Sequence, residues 1–237
     1  MTRRTPVFFI CAPHSRTGVT TAARLLTDYF LSRRTPIEGF DTDSREPTYA
    51  ELFPQTTHVV DVGEVKGQIS LFDRLLTSDE TPRIVDVWHR SYEQLFSTIE
   101  EIGFFEEARR NNVEPIVLFQ ADATASAAAN AKALLAAWPD LWMAAVHNEG
   151  AAPLGAAAYE LLSRHPARGK FVIPRLESPI DRVLDDESLS LSQFFVEPPP
   201  DMSIVVRAAL KGWLTPIFTQ FQSFEMRLEL EYAEALR

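Results

Sequence analysis

The sequence predicts a three-layer α/β sandwich with a mainly parallel sheet and an additional C-terminal helix. Three observations carry this prediction. Apolar, strand-like runs alternate with segments of helical periodicity over roughly residues 7–175. Acidic residues recur where these runs end. The first run passes through a short turn containing Gly18 straight into a helical pattern.

The elements follow in order. Val7–Cys11 is an unbroken apolar run and predicts a buried first strand. Thr20–Ser32 then places Ala23, Leu26 and Phe30 beside Leu25 and Tyr29 on one helical face. Further strands are expected at Ile37–Phe40, His58–Val62, Arg83–Val87, Pro115–Gln120, Trp142–His147 and Lys170–Ile173. Further helices are expected at Ser91–Ile102, Ala123–Ala137 and Leu154–Arg164. Ala123–Ala137 is so rich in alanine that its helix propensity is high while each side chain buries little, which implies close packing on a neighbour. The run Val196-Glu197-Pro198-Pro199-Pro200-Asp201 cannot continue a helix and reads as a stiff, extended linker. Beyond it, Val205, Ala209, Trp213, Ile217, Phe221, Phe224 and Leu228 recur at helical spacing, with Pro216 expected to kink the helix. That apolar face either closes the core or binds a partner. The expected organisation is one α/β domain over 1–195, with a linker and helical extension over 196–237 packing on the same domain.

Composition narrows the functional classes. A chain of 237 residues with 46% hydrophobic content can bury a sizeable core. Its formal net charge of −10 argues against general binding to nucleic acid or to an anionic membrane. A single cysteine, Cys11, forbids an intramolecular disulfide, and its place in the first strand predicts a buried, inert thiol suited to a reducing cytosol. No apolar run approaches the roughly 20 residues of a membrane span, and the run behind the basic start is shorter than the roughly 7–15 residues of a signal-peptide core. A cytoplasmic protein is therefore expected.

The turn after the first strand, Ala12-Pro13-His14-Ser15-Arg16-Thr17-Gly18-Val19-Thr20-Thr21, has the layout of a phosphate-binding loop. In G-x-x-x-x-G-K-[ST], backbone N–H groups cradle phosphates, a lysine reaches the outer phosphates and a hydroxyl binds Mg²⁺. Here Pro13 stands at the first glycine, Gly18 at the second, Val19 at the lysine and Thr20 at the hydroxyl. The frame is present without its cation. The second strand ends in Asp41-Thr42-Asp43 and the fourth carries Asp86, so three carboxylates converge on the carboxyl edge of the sheet, where ligands of doubly wound sheets gather. Together they are expected to surround one cation.

In Pro13–Thr21, Asp41-Thr42-Asp43 with the following Ser44–Thr48, Ile84-Val85-Asp86 and Val146-His147-Asn148, taken in this order, the chain resembles the deviant P-loop ATPases of the ParA/MinD type. The resemblance spans roughly residues 7–175 and implies a P-loop NTPase-like fold, bound ATP or ADP with Mg²⁺, and action through a protein partner or a homodimer. It implies that Ser15, Arg16, Thr17, Gly18, Val19, Thr20 and Thr21 bind nucleotide, that Thr20, Asp41 and Asp86 serve the metal, that Asp43 orients the attacking water and that Asn148 contacts adenine. The departures are as informative. The family's two loop lysines are absent, with His14 and Val19 in their places, and Ser15 and Arg16 replace glycines. A guanidinium grips phosphate bidentately, so Arg16 is the available substitute.

Each of these residues also has a plainer reading. Asp41 and Asp43 suit the capping of a turn. A buried Asp86 needs a partner, and Arg83 or Arg90 could supply it. Asn148 and Glu149 suit a helix cap. His58, His89 and His147 have no metal-ligand spacing, and no G-x-S-x-G elbow is present. The leading expectation is a nucleotide-dependent switch, or its degenerate descendant with weak or absent hydrolysis. The alternative is a non-catalytic scaffold that interacts through its C-terminal aromatic face. A small-metabolite ligase or kinase, with substrate near Trp88–Tyr92, has no recognisable motif behind it.

Overall fold

The computed structural model describes residues 4–151, 160, 169–178, 180–185 and 189–235. Its centre is a seven-stranded sheet, every pairing of which is parallel. The strands are β1 Thr5–Cys11, β2 Glu38–Asp41, β3 Thr57–Val59, β4 Arg83–Asp86, β5 Val113–Gln120, β6 Trp142–Asn148 and β7 Lys170–Ile173, in the order β3-β2-β4-β1-β5-β6-β7. The chain builds outward to β3, returns to β4 beside β1, and then crosses to β5–β7. The reversal opens a crevice at the carboxyl ends of the strands flanking β1.

The helices are α1 Val19–Ser32, α2 Thr48–Leu52, α3 Val65–Leu75, α4 Tyr92–Glu101, α5 Phe104–Arg110, α6 Ala125–Ala137, α7 Leu191–Val196 and α8 Ile204–Ala235, with a 3₁₀ turn at Ile180–Asp185. They cover both faces, as the period of two in β1 requires. Val7, Phe9 and Cys11 point into one core with residues of α3, α4, α5 and α6. Phe8 and Ile10 point into a second core with α1, Tyr49 of α2, α7 and α8. All strand predictions correspond to strands. The expected helix Leu154–Arg164 lies outside the described residues except for Glu160.

The C-terminal helix belongs to the second core. Trp213, Ile217, Phe221, Phe224 and Leu228 are buried there, with Phe221 and Phe224 against the Phe171 ring at centroid distances of 5.3 and 5.2 Å. This corrects the partner-binding alternative: the aromatic face is spent on the protein's own interior. The helix assignment runs on through Pro216. The proline run is also not extended, because the Met202 N–H donates to the Pro199 carbonyl at 3.2 Å and folds it into a turn. Among the described residues no helix is long and apolar enough to cross a membrane.

Candidate functional site

The loop between β1 and α1 is shaped by two left-handed residues. Arg16 has φ 61° and Gly18 φ 86°. The Thr17 hydroxyl donates to the His14 carbonyl at 3.3 Å and closes the turn. Gly18 precedes the first residue of α1 and its carbonyl accepts the Ala22 N–H at 3.0 Å. A Cβ on Gly18 would lie 2.2 Å from Asn148 Nδ2, so the end of β6 and the loop approach more closely than any other residue permits.

Beside the loop is an open cleft of about 420 Å³. Its walls bring together Ser15, Arg16, Thr17, Gly18, Val19, Thr20 and Thr21 with Asp41, Asp43 and Asp86, from three separate stretches of sequence. His14, Glu46, Thr48, Trp88 and His89 also line it. Glu46 and Thr48 were missed as site residues, and the only sequence signal for them is their position just after Asp43. Asn148 does not reach this cleft. It is buried, its Oδ1 accepts the Gly150 N–H at 3.0 Å, and it lines a neighbouring cavity of about 670 Å³ with Ile173, Pro174 and Trp213. Thr21 is common to both spaces.

The carboxylates have distinct environments. Asp41 and Asp86 are direct neighbours in the β2–β4 register. Asp41 Oδ2 accepts the N–H groups of Tyr49 and Ala50 at 3.0 and 3.1 Å, and Oδ1 accepts that of Asp43 at 3.0 Å. It caps α2 from a distant strand, and its lone pairs are largely occupied. Asp43 Oδ1 accepts the N–H groups of Arg45 and Glu46, both at 3.1 Å, and organises the loop. The expected ring of three carboxylates does not form: among the described residues no three His, Cys, Asp or Glu side chains are grouped to hold a metal ion.

Asp86 differs from both. It is buried, and burial together with the Asp41 charge, and less so that of Asp43, pushes its carboxyl up to about 8. The Thr20 hydroxyl hydrogen-bonds to it and opposes the shift. Neither expected arginine neutralises it. Arg83 is buried at the opposite end of β4, bonded to Glu38 at 3.1 Å and Asp79 at 2.9 Å, and the Arg90 guanidinium lies 5.4 Å from the centroid of the Trp88 ring. Asp86 and Thr20 thus meet as a hydrogen-bonded carboxyl and hydroxyl that both line the cleft. Val19 offers no charge and packs against the second core.

No family model matches the chain, and no curated protein matches it. Among solved structures it resembles a nucleotide-binding protein from Archaeoglobus fulgidus, in complex with ADP and with Co. The TM-score is 0.52 at 12% sequence identity, over 91% of this chain and 90% of that one. The chain shares its fold with a nucleotide-binding protein. At that identity the likeness shows the fold alone, and the residues of the cleft carry any further argument.

Proposed function

We propose that this protein is a nucleotide-dependent switch of the ParA/MinD type, or a degenerate descendant of one, with weak or absent ATP hydrolysis and acting through protein contacts. The observation that carries the reading is the meeting of Thr20 and Asp86 beneath a loop curled by Gly18, in one cleft at the carboxyl edge of a parallel sheet. Backbone N–H groups of residues 15–20 would hold phosphate, Arg16 would partly neutralise it, and Thr20 with Asp86 would hold Mg²⁺. The metal would supply charge neutralisation at the terminal phosphates. Asp43, fixed by its loop hydrogen bonds, would orient a water, and the adjoining cavity with Asn148 would receive the base.

The test is calorimetric titration with ATP and ADP, with and without Mg²⁺. Saturable, Mg²⁺-dependent binding is expected. No heat up to about millimolar nucleotide, a limit near −4 kcal/mol, would overturn the reading. The scaffold alternative draws on one observation, the apolar Val19 packed where a lysine would reach phosphate. It loses its proposed interface, because the C-terminal aromatic face is buried.

A further inference from the structure

Next to the phosphate cleft lies a second, smaller chamber of about 250 Å³, lined by Asp43, Arg45, Glu46, Trp88, His89 and Arg90. Four of these, Asp43, Glu46, Trp88 and His89, also line the cleft, so the two spaces share a wall. Arg45 and Arg90 line the chamber only. Their guanidinium carbons lie 5.9 and 5.4 Å from the centroid of the same Trp88 ring. Among the described residues neither guanidinium has a hydrogen bond or an ion pair. Two like charges without an ion pair among the described residues are thus gathered around one indole, in a chamber that Asp43 and Glu46 also line.

The two loops that carry these groups are fixed to each other. The Thr42 hydroxyl donates to the Asp86 carbonyl at 3.1 Å and accepts the Trp88 N–H at 2.8 Å, and the Ser91 hydroxyl donates to the Thr42 carbonyl at 3.3 Å. Asp43 holds the Arg45 backbone. The chamber walls are therefore braced before any ligand arrives, which lowers the ordering cost of binding. His89 points the same way: burial, and then the Arg90 charge, hold its imidazole below the ordinary value, so it does not add a third cation.

We infer that this chamber binds a second ligand, a small molecule bearing an oxyanion, with the oxyanion against Arg45 and Arg90, an apolar or planar part on Trp88, and its remaining end toward the wall shared with the phosphate cleft. Guanidinium groups bind carboxylate and phosphate through charge-assisted, paired hydrogen bonds, and Trp88 leaves both arginines poised to make them. The volume is below the roughly 300–1,000 Å³ of pockets for drug-sized ligands, so the ligand is smaller than a nucleotide. The inference does not depend on nucleotide binding, because Arg45 and Arg90 do not line the cleft.

The test titrates the full chain with inorganic phosphate and, separately, with succinate, following the Trp88 indole N–H by NMR after assigning it with Trp88→Phe. The expected result is a saturable shift with at least one probe below about 10 mM, weakened more than about tenfold in Arg45→Ala/Arg90→Ala and retained in Arg16→Ala. Which probe saturates identifies the oxyanion as phosphate or carboxylate. The inference is overturned if neither probe saturates, or if binding survives the double substitution. It also fails if Arg16→Ala alone abolishes the shift, since the anion would then sit in the phosphate cleft. Unchanged thermal unfolding of the double variant guards against a loss caused by misfolding, and Arg45→Lys/Arg90→Lys, which keeps the charge and removes the fork, should bind at intermediate strength.

Discussion

Gly18 and Asn148 are in contact across the carboxyl edge of the sheet, so close that a single Cβ on Gly18 would fall 2.2 Å from the Asn148 amide nitrogen. This contact joins the loop before α1 to the end of β6, and so joins the cleft beside that loop to the neighbouring cavity. Replacing Gly18 with Ala should destabilise the fold by more than the about 1–2 kcal/mol of a left-handed non-glycine residue, because the Asn148 amide must also move. The excess should vanish in the Asn148→Ala background. Urea unfolding of the two single variants and the double variant measures it, and strictly additive losses would show that the contact is not the constraint.

Asp86 should give the protein a distinctive pH dependence. Its ordinary value of 3.8 applies to the unfolded chain, and the folded value is about 8, so the native state holds a proton that the unfolded state releases. The resulting stability is fully present below about pH 4 and is lost progressively as pH rises to about 8. Asp28, raised to about 6 chiefly by burial, acts in the same sense over a narrower range. In Asp86→Asn the fall in urea midpoint between pH 5 and pH 8 should flatten, leaving the part due to Asp28 and the other raised carboxyls. An unchanged slope would exclude Asp86 as its source.

Asp41 should act on Asp86 through charge and on α2 through hydrogen bonds. Asp41→Asn removes the neighbouring negative charge, so the pH at which the Asp86 contribution is lost should move down. The same substitution removes acceptors for the backbone of α2 and should cost about 0.5–2 kcal/mol. Comparing Asp41→Asn with Asp41→Asn/Asp86→Asn separates the two effects, because only the single variant retains the Asp86 titration.

Val19→Lys should strengthen ATP binding. A charge-assisted contact to phosphate contributes about 1.5–3 kcal/mol, or roughly 10- to 150-fold in affinity. Arg16→Ala should weaken native binding to below detection if its guanidinium replaces the missing lysine. Calorimetry with Mg²⁺-ATP reads both, and an unchanged affinity in Arg16→Ala would remove that residue from the site.

Phe221→Ala should cost about 3–5 kcal/mol, since the ring is buried between Tyr29 and Phe171 and the cavity cannot close around it. Ile204→Ser, on the same helix but 74% exposed, should change stability by less than about 0.5 kcal/mol. Equal effects would mean that α8 does not pack on this core.

The parts of the fold that were legible share one property. It is a local signal: β1, β5 and β6 are largely apolar runs buried on both faces, and α1 and α6 carry enough helical pattern to be read without context. Most of the missed elements are too short to carry such a signal. Helix α2 has five residues and is capped by Asp41, seven positions before its start. Helices α5 and α7 are short, and α7 is anchored by its Ser192 N–H donating to Asp28 of α1 at 2.8 Å, whereas α3 spans eleven residues and buries Leu71, Phe72 and Leu75 on one face, a helical period that was legible and not read.

By itself the sequence determined the alternation of strands and helices, the loop frame ending in Gly18-Val19-Thr20, and the absence of a lysine from that loop. These are set by local periodicity and residue identity. Only the tertiary structure decided what the charged groups do: that Asp41 is spent on capping α2, that Asp86 meets Thr20 with no arginine beside it, that Asn148 lines the adjoining cavity, and that the C-terminal aromatic face closes the core. The reason is physical. A carboxylate's protonation and partners depend on burial and on groups tens of residues away, and neither is encoded at its own position in the chain.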